Sequence, residues 1–207
     1  MSQVMTAVKE KRAENKQIEE ALKDKKLPVK ENRHLAKRIL ALVVAFSILF
    51  VGGVKLNSKR SKAINVFKTG TSSEYLVSVY NDIQESATSA SILAGIAQAK
   101  LGDTDEVSRL SKLASKILKE DDESELVELF TELVQISNTV YSLYEEAAGE
   151  ASTDAVKAIR NINSARTTVS NDAYWKYASE FNDARSGFPA WLIALLSGAK
   201  KLPDKLG

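Results

Sequence analysis

No cysteine occurs anywhere in the chain, which excludes disulfides, thiolate metal sites and a cysteine nucleophile. The same absence leaves the compartment open, because a cysteine-free chain survives on either side of a membrane. The single histidine, His34, cannot build a multi-histidine metal site. It stands among basic residues just before a hydrophobic run, where a solvated or headgroup-level side chain is expected. Proline (3) and glycine (9) are scarce in 207 residues, so the closely spaced turns of a sheet protein have little to be built from. Plentiful Ala, Leu, Ser, Lys and Glu favour long helices instead. Aromatics are few and not interleaved with basic clusters, and the net charge is only +2. Nucleic acid is therefore not an expected partner. The chain also lacks a glycine-rich phosphate cradle, a nucleophile elbow and a zinc motif, so no cofactor is expected.

Against these absences stands one long hydrophobic run. From Ile39 to Val54 the residues read ILALVVAFSILFVGGV, without a charge. A helix of that length spans about 24 Å, short of a bilayer core of about 30 Å. Leu35 and Ala36 at one end and Leu56 at the other bring it to roughly 33 Å, with Lys37, Arg38 and Lys55 able to snorkel to the headgroups. A transmembrane helix over 35–56 is the expectation, with Ile39, Leu42, Phe46, Phe50 and Val54 facing lipid. Val51-Gly52-Gly53 offers small residues for a signal peptidase, but some 38 residues precede the run, far more than a signal peptide carries. Within about 20 residues, seven Lys and Arg precede the span and five follow it. The positive-inside rule then places the N-terminus inside and the rest outside.

Residues 1–34 form a charged tail with sparse apolar positions, ended as a helix by Pro28, and 57–71 a basic juxtamembrane connector. From 72 to 207 the apolar residues recur at steps of three and four. Thr71-Ser72-Ser73-Glu74 fits a capping box ahead of Leu76, Val79, Ile83, Ala87, Ala90, Leu93 and Ala97. A shorter helix restarts at Asp103-x-x-Glu106, and a third carries Leu126, Leu129, Phe130, Leu133, Val140, Tyr141 and Tyr144. A last long helix, capped at 152–154, has a face of Val156, Ile159, Ile162, Val169, Ala173, Tyr177, Phe181, Ala184 and Phe188. Nothing alternates with period two. The expected fold is all-α: the membrane helix, then an antiparallel four-helix bundle with two long and two shorter helices, the long ones flanking the others. Phe188 to Leu196 is a dense apolar stretch, too short to cross a bilayer. It reads first as a lid on one end of the bundle, and second as an interfacial or partner-docking patch centred on Trp191, Leu192 and Leu195.

This order of parts resembles the LemA family of bacterial membrane proteins, in which a hydrophobic segment precedes a helical bundle. The family's signature is matched by Arg166, Tyr174-Trp175, Phe181-Asn182 and Phe188-Pro189, and its early Tyr-Asn pair by Tyr80-Asn81. The chain departs from it where Trp175 stands in place of Asn and Phe181 in place of Tyr, and where Ser91–Ile96 replaces a Leu-Ile-Pro-Asn-Leu stretch. The resemblance implies a membrane-anchored bundle and no particular reaction. Seven-residue spacing puts Tyr174, Phe181 and Phe188 on one stripe, which is expected to pack in the core, with Asn182 bonding across helices.

The acidic runs Asp121-Asp122-Glu123-Ser124-Glu125 and Asp103-Thr104-Asp105-Glu106 lack the spacing of a calcium loop. Placement at helix N-termini accounts for them. The sequence thus reads as a non-enzymatic module at the cell membrane, with the bilayer and another membrane or envelope protein as partners. The rival expectations are a membrane-surface hydrolase or lipid-modifying accessory, which requires a deep polar pocket, and a self-associating scaffold.

Overall fold

The structure, a computed structural model, describes residues 33–71 and 78–207, with side chains from Leu35. The charged tail, the His34 side chain, Leu76 and the capping box beyond Thr71 lie outside the described residues. Seven helices and no strand are found among them: α1 (Arg33–Thr69), α2 (Val79–Leu101), α3 (Asp105–Ile117), α4 (Glu123–Ala148), α5 (Thr153–Ser170), α6 (Tyr174–Ser186) and α7 (Ala190–Ser197). The chain divides into two units between Phe50 and Val51. In the first, the described part is the opening half of α1. The second holds everything else.

The helix ends follow from local chemistry. Ser78 caps α2 by accepting from the Asn81 N–H, and Thr104 caps α3 by accepting from that of Val107, one residue later than the expected Asp103. Asp122 Oδ1 accepts the Ser124 and Glu125 N–H groups at 3.0 and 3.1 Å, which turns the acidic run into the N-cap of α4. Ser152 caps α5 from within the expected window. Gly102 and Gly149 stop α2 and α4 at φ 77° and 76°, where a side chain would be strained.

In the second unit, α2 lies at the centre, packed against α3, α4 and α5, while α3 and α5 each pack on α4. Short loops joining consecutive helices make this an antiparallel bundle. Its core is apolar: Ile83, Leu93, Leu110, Ile117, Leu126, Phe130, Leu133 and Ile162 are all fully enclosed. The long helices are α2 and α4, of 23 and 26 residues, so long and shorter helices alternate in the chain, and the expected flanking order is corrected.

Two further expectations are corrected. The last long helix is two helices, because the Thr167–Asp172 stretch competes with its own backbone. Thr167 and Thr168 hydroxyls, the Ser170 hydroxyl and the Asn171 amide donate to carbonyls four residues back, and Asp172 Oδ1 then accepts the Tyr174 N–H at 2.7 Å. Ala173, expected on the buried face, is exposed at this break. Secondly, the segment expected as a connector continues α1 as helix to Thr69 and buries Leu56, Ala63, Val66 and Phe67 in the core.

Candidate membrane and docking surfaces

Of α1, 37 residues long, the apolar run is exposed along most of its length. Eleven large apolar side chains between Leu35 and Val54 are exposed, among them Ile39, Leu42, Phe46, Phe50 and Val54 at half to three-quarters of their surface. They point to every side of the helix. Leaving them in water costs on the order of 10–20 kcal/mol at the usual value per side chain. This helix is long and apolar enough to span a membrane.

The other half of α1 runs antiparallel to α6 and meets α7 at Gly52. Gly52 approaches Pro189 and Ile193, and Lys59 Nζ donates to the Glu180 carbonyl at 3.4 Å. Lys62 Nζ lies 4.6 Å over the Tyr177 ring, and the Phe67 ring meets Tyr174 edge-on at 5.1 Å. These contacts place most of the expected signature positions around one seam. Tyr174 and Phe181 are fully buried, and Tyr80 edges against Phe67 at 6.5 Å. Trp175 donates its indole N–H to the Val169 carbonyl and so covers the end of α5. Asn81 is half-buried beside the Ser78 cap, whereas Arg166 is exposed on α5, away from the seam's buried residues.

Phe188 departs from the expected core stripe: it is 80% exposed, because the chain turns out of α6 at Ser186-Gly187 before the heptad returns. Pro189 follows it through a cis peptide bond and precedes the first turn of α7. The segment expected as a lid packs on the core by one side only. In α7 only Ala194 is buried, Leu192 is half-buried, and Trp191 and Leu195 are exposed.

Asn182 does not bond across helices. Its Nδ2 donates to the Leu202 carbonyl at 2.8 Å, and its Oδ1 accepts the Leu202 N–H at 3.1 Å. With Arg185 Nε donating to the Ala199 carbonyl at 2.9 Å, it straps the final segment to α6 and drives the Leu202 side chain into the core. Asn182→Ala is expected to cost about 1–3 kcal/mol, the value of a buried amide left without its pair. Hydrogen exchange checks this: the Leu202 amide should lose its protection while amides in α4 keep theirs.

Asp82, in the first turn of α2, was not singled out by the sequence. Its Oδ2 is enclosed with no partner among the described residues, and burial, then Glu85 and Asp172, push its carboxyl up to about 6. The folded state therefore binds this proton more tightly than the unfolded chain does. Stability rises as pH falls from about 6 towards 3.8 and is lost as pH climbs through 6. Asp82→Asn is expected to stabilise the protein at pH 8 by about 1 kcal/mol, allowing for solvent screening of a partly exposed group. It should also flatten the pH dependence of the unfolding midpoint below pH 6, as denaturant titrations at several pH values will show.

Two open grooves lie on the surface of the bundle. One of about 410 Å³ between α3 and α4 is bridged by the Arg109–Glu132 and Lys116–Glu125 ion pairs, and one of about 560 Å³ lies between α2 and α5. Among the described residues no three His, Asp or Glu side chains gather as metal ligands. The chain matches no family model, no curated protein and no solved structure.

Proposed function

We propose that the protein is a membrane-anchored, LemA-like helical scaffold that docks another membrane or envelope protein at the cell membrane and catalyses no reaction. The observation that carries this reading is the exposed apolar rod of α1, continuous as helix with a segment embedded in the bundle core. The bundle is thereby held at the bilayer surface, where its effective concentration towards other membrane components is high. The thin excess of basic residues before the span supports an inside N-terminus and an outside bundle.

The LemA reading draws support from Tyr174 and Phe181, which α6 buries in the core, and from Asn182, which ties the final segment to that helix. The non-enzymatic reading draws support from the bundle's polar interior, which is small and mostly serine: Ser78, Ser86, Ser89, Ser137, Glu123 and Asn182. Proximity labelling from the C-terminus tests the proposal. A specific envelope or membrane protein should be enriched over abundant neighbours, and enrichment of bystanders alone at matched levels would count decisively against it.

A further inference from the structure

Exposed large apolar side chains are not scattered evenly. Outside the apolar run of α1, those among the described residues are Ile92, Leu118 and Leu143, each on a different part of the bundle surface, and a group of four: Phe188, Trp191, Leu195 and Leu196. That group belongs to α7 and the residues leading into it. Every residue from Ala190 to Leu196 is apolar, so α7 has no face suited to water. One side, Ala190, Ile193 and Ala194, packs inward. The other presents Trp191 and Leu195, four residues apart and on one face, with Leu196 beside them.

What lies beneath α7 decides what covers it. A Cβ on Gly52 would stand 2.9 Å from Ile193 Cδ1 and 3.6 Å from Pro189 Cγ, and one on Gly53 would stand 3.8 Å from Ile193 Cγ2. The paired glycines are thus the notch that admits α7 to the side of α1. They sit within the apolar run, between the exposed Val51 and Val54 and ahead of the exposed Lys55. Whatever solvates Val51 and Val54 therefore also reaches α7. The exposed apolar surface at Val51 and Val54 thus adjoins that of α7 at Gly52.

We infer that α7 is an interfacial membrane helix, seated in the headgroup and upper acyl region of the same bilayer that α1 spans. Trp191 is the residue type favoured at that depth, and Lys55 and Lys200 are placed in sequence to reach the phosphates. The inference rests on the membrane reading of α1, and it adds that the bundle is moored at two points.

Because the chain has no cysteine, single labels report cleanly. Phe46→Cys, Leu196→Cys and Ile92→Cys in the full chain, each carrying an environment-sensitive fluorophore, are reconstituted in phosphatidylcholine–phosphatidylglycerol vesicles. Nitroxide lipids quench from within the bilayer, and iodide on both sides quenches from water. The Leu196 label is expected to be quenched several-fold more by shallow nitroxides than the Ile92 label, and several-fold less by iodide. The inference is overturned by iodide quenching equal to that at Ile92, or by protection from both quenchers, which would mean a second copy or another protein covers α7. The Phe46 label separates the two levels. Deep-nitroxide quenching there with failure at Leu196 sinks α7 alone, whereas its absence sinks the anchor and α7 together. Leu195→Cys repeats the measurement should the Leu196 variant not fold.

Discussion

Replacing Leu42 and Phe46 together by aspartate is expected to move the protein from the membrane pellet to the supernatant or to abolish its accumulation. Both positions lie near the middle of the run, and both side chains are more than half exposed. An aspartate at the centre of an inserting helix costs about 2.5–3.5 kcal/mol, and each lost Leu or Phe removes about 0.5 kcal/mol of insertion free energy. Two such changes shift the balance by about 6–8 kcal/mol, enough to reverse partitioning by several powers of ten. Ile92→Asp on the bundle, also at an exposed apolar position, should leave partitioning unchanged. Alkaline carbonate extraction followed by ultracentrifugation distinguishes the two. Should the unaltered full-length chain stay in the supernatant without detergent, the membrane reading fails.

The parts of this architecture that could be read from the sequence are those governed by local rules. The run from Ile39 to Val54 declares itself by its lack of charge. The faces of α2 and α4 declare themselves by apolar residues at steps of three and four: Ile83, Leu126 and Phe130 are expected in the core and are enclosed there. What escaped the reading depended on tertiary partners. Ala63, Val66 and Phe67 have helical spacing, but they are flanked by Lys59, Arg60, Lys62 and Lys68, and the charges drew attention to a connector rather than a core segment. The break at Asn171 was masked because the apolar period resumes in phase with Tyr174 and Phe181 on its far side. In the sequence Gly52-Gly53 resembles a cleavage signal, but paired small residues in an apolar helix also mark close packing, which is their role beside Ile193.

The candidate signature was legible as a pattern but not as a set of contacts. Tyr174 and Phe181 obey the seven-residue stripe. Phe188 does not, because a stripe holds only while the helix does, and α6 ends at Ser186. Asn182 was expected to reach a neighbouring helix, yet it matches a backbone amide and carbonyl of residue 202, a pairing no spacing rule could foresee.

Phe67 is where these pieces meet, and Phe67→Ala is expected to cost about 3–5 kcal/mol, as for other enclosed phenylalanines. Its ring is fully buried and meets Tyr174 of α6 at 5.1 Å and Tyr80 of α2 at 6.5 Å, so truncation removes the wedge that joins α1 to the bundle on both sides. Tyr174→Phe supplies the contrast. The Tyr174 hydroxyl is enclosed with no partner among the described residues, and burial pushes its ionisation upward, so the phenol contributes volume rather than hydrogen bonding. Removing only that oxygen keeps both ring contacts and relieves an unpaired polar atom, for an expected gain of about 1 kcal/mol. Urea unfolding in mild detergent, followed by near-ultraviolet circular dichroism, reads both changes. The pair matters more than either variant: a core role for the second half of α1 requires Phe67→Ala to be severely destabilising, whereas a cost below about 1 kcal/mol would mean that this segment merely rests on the bundle.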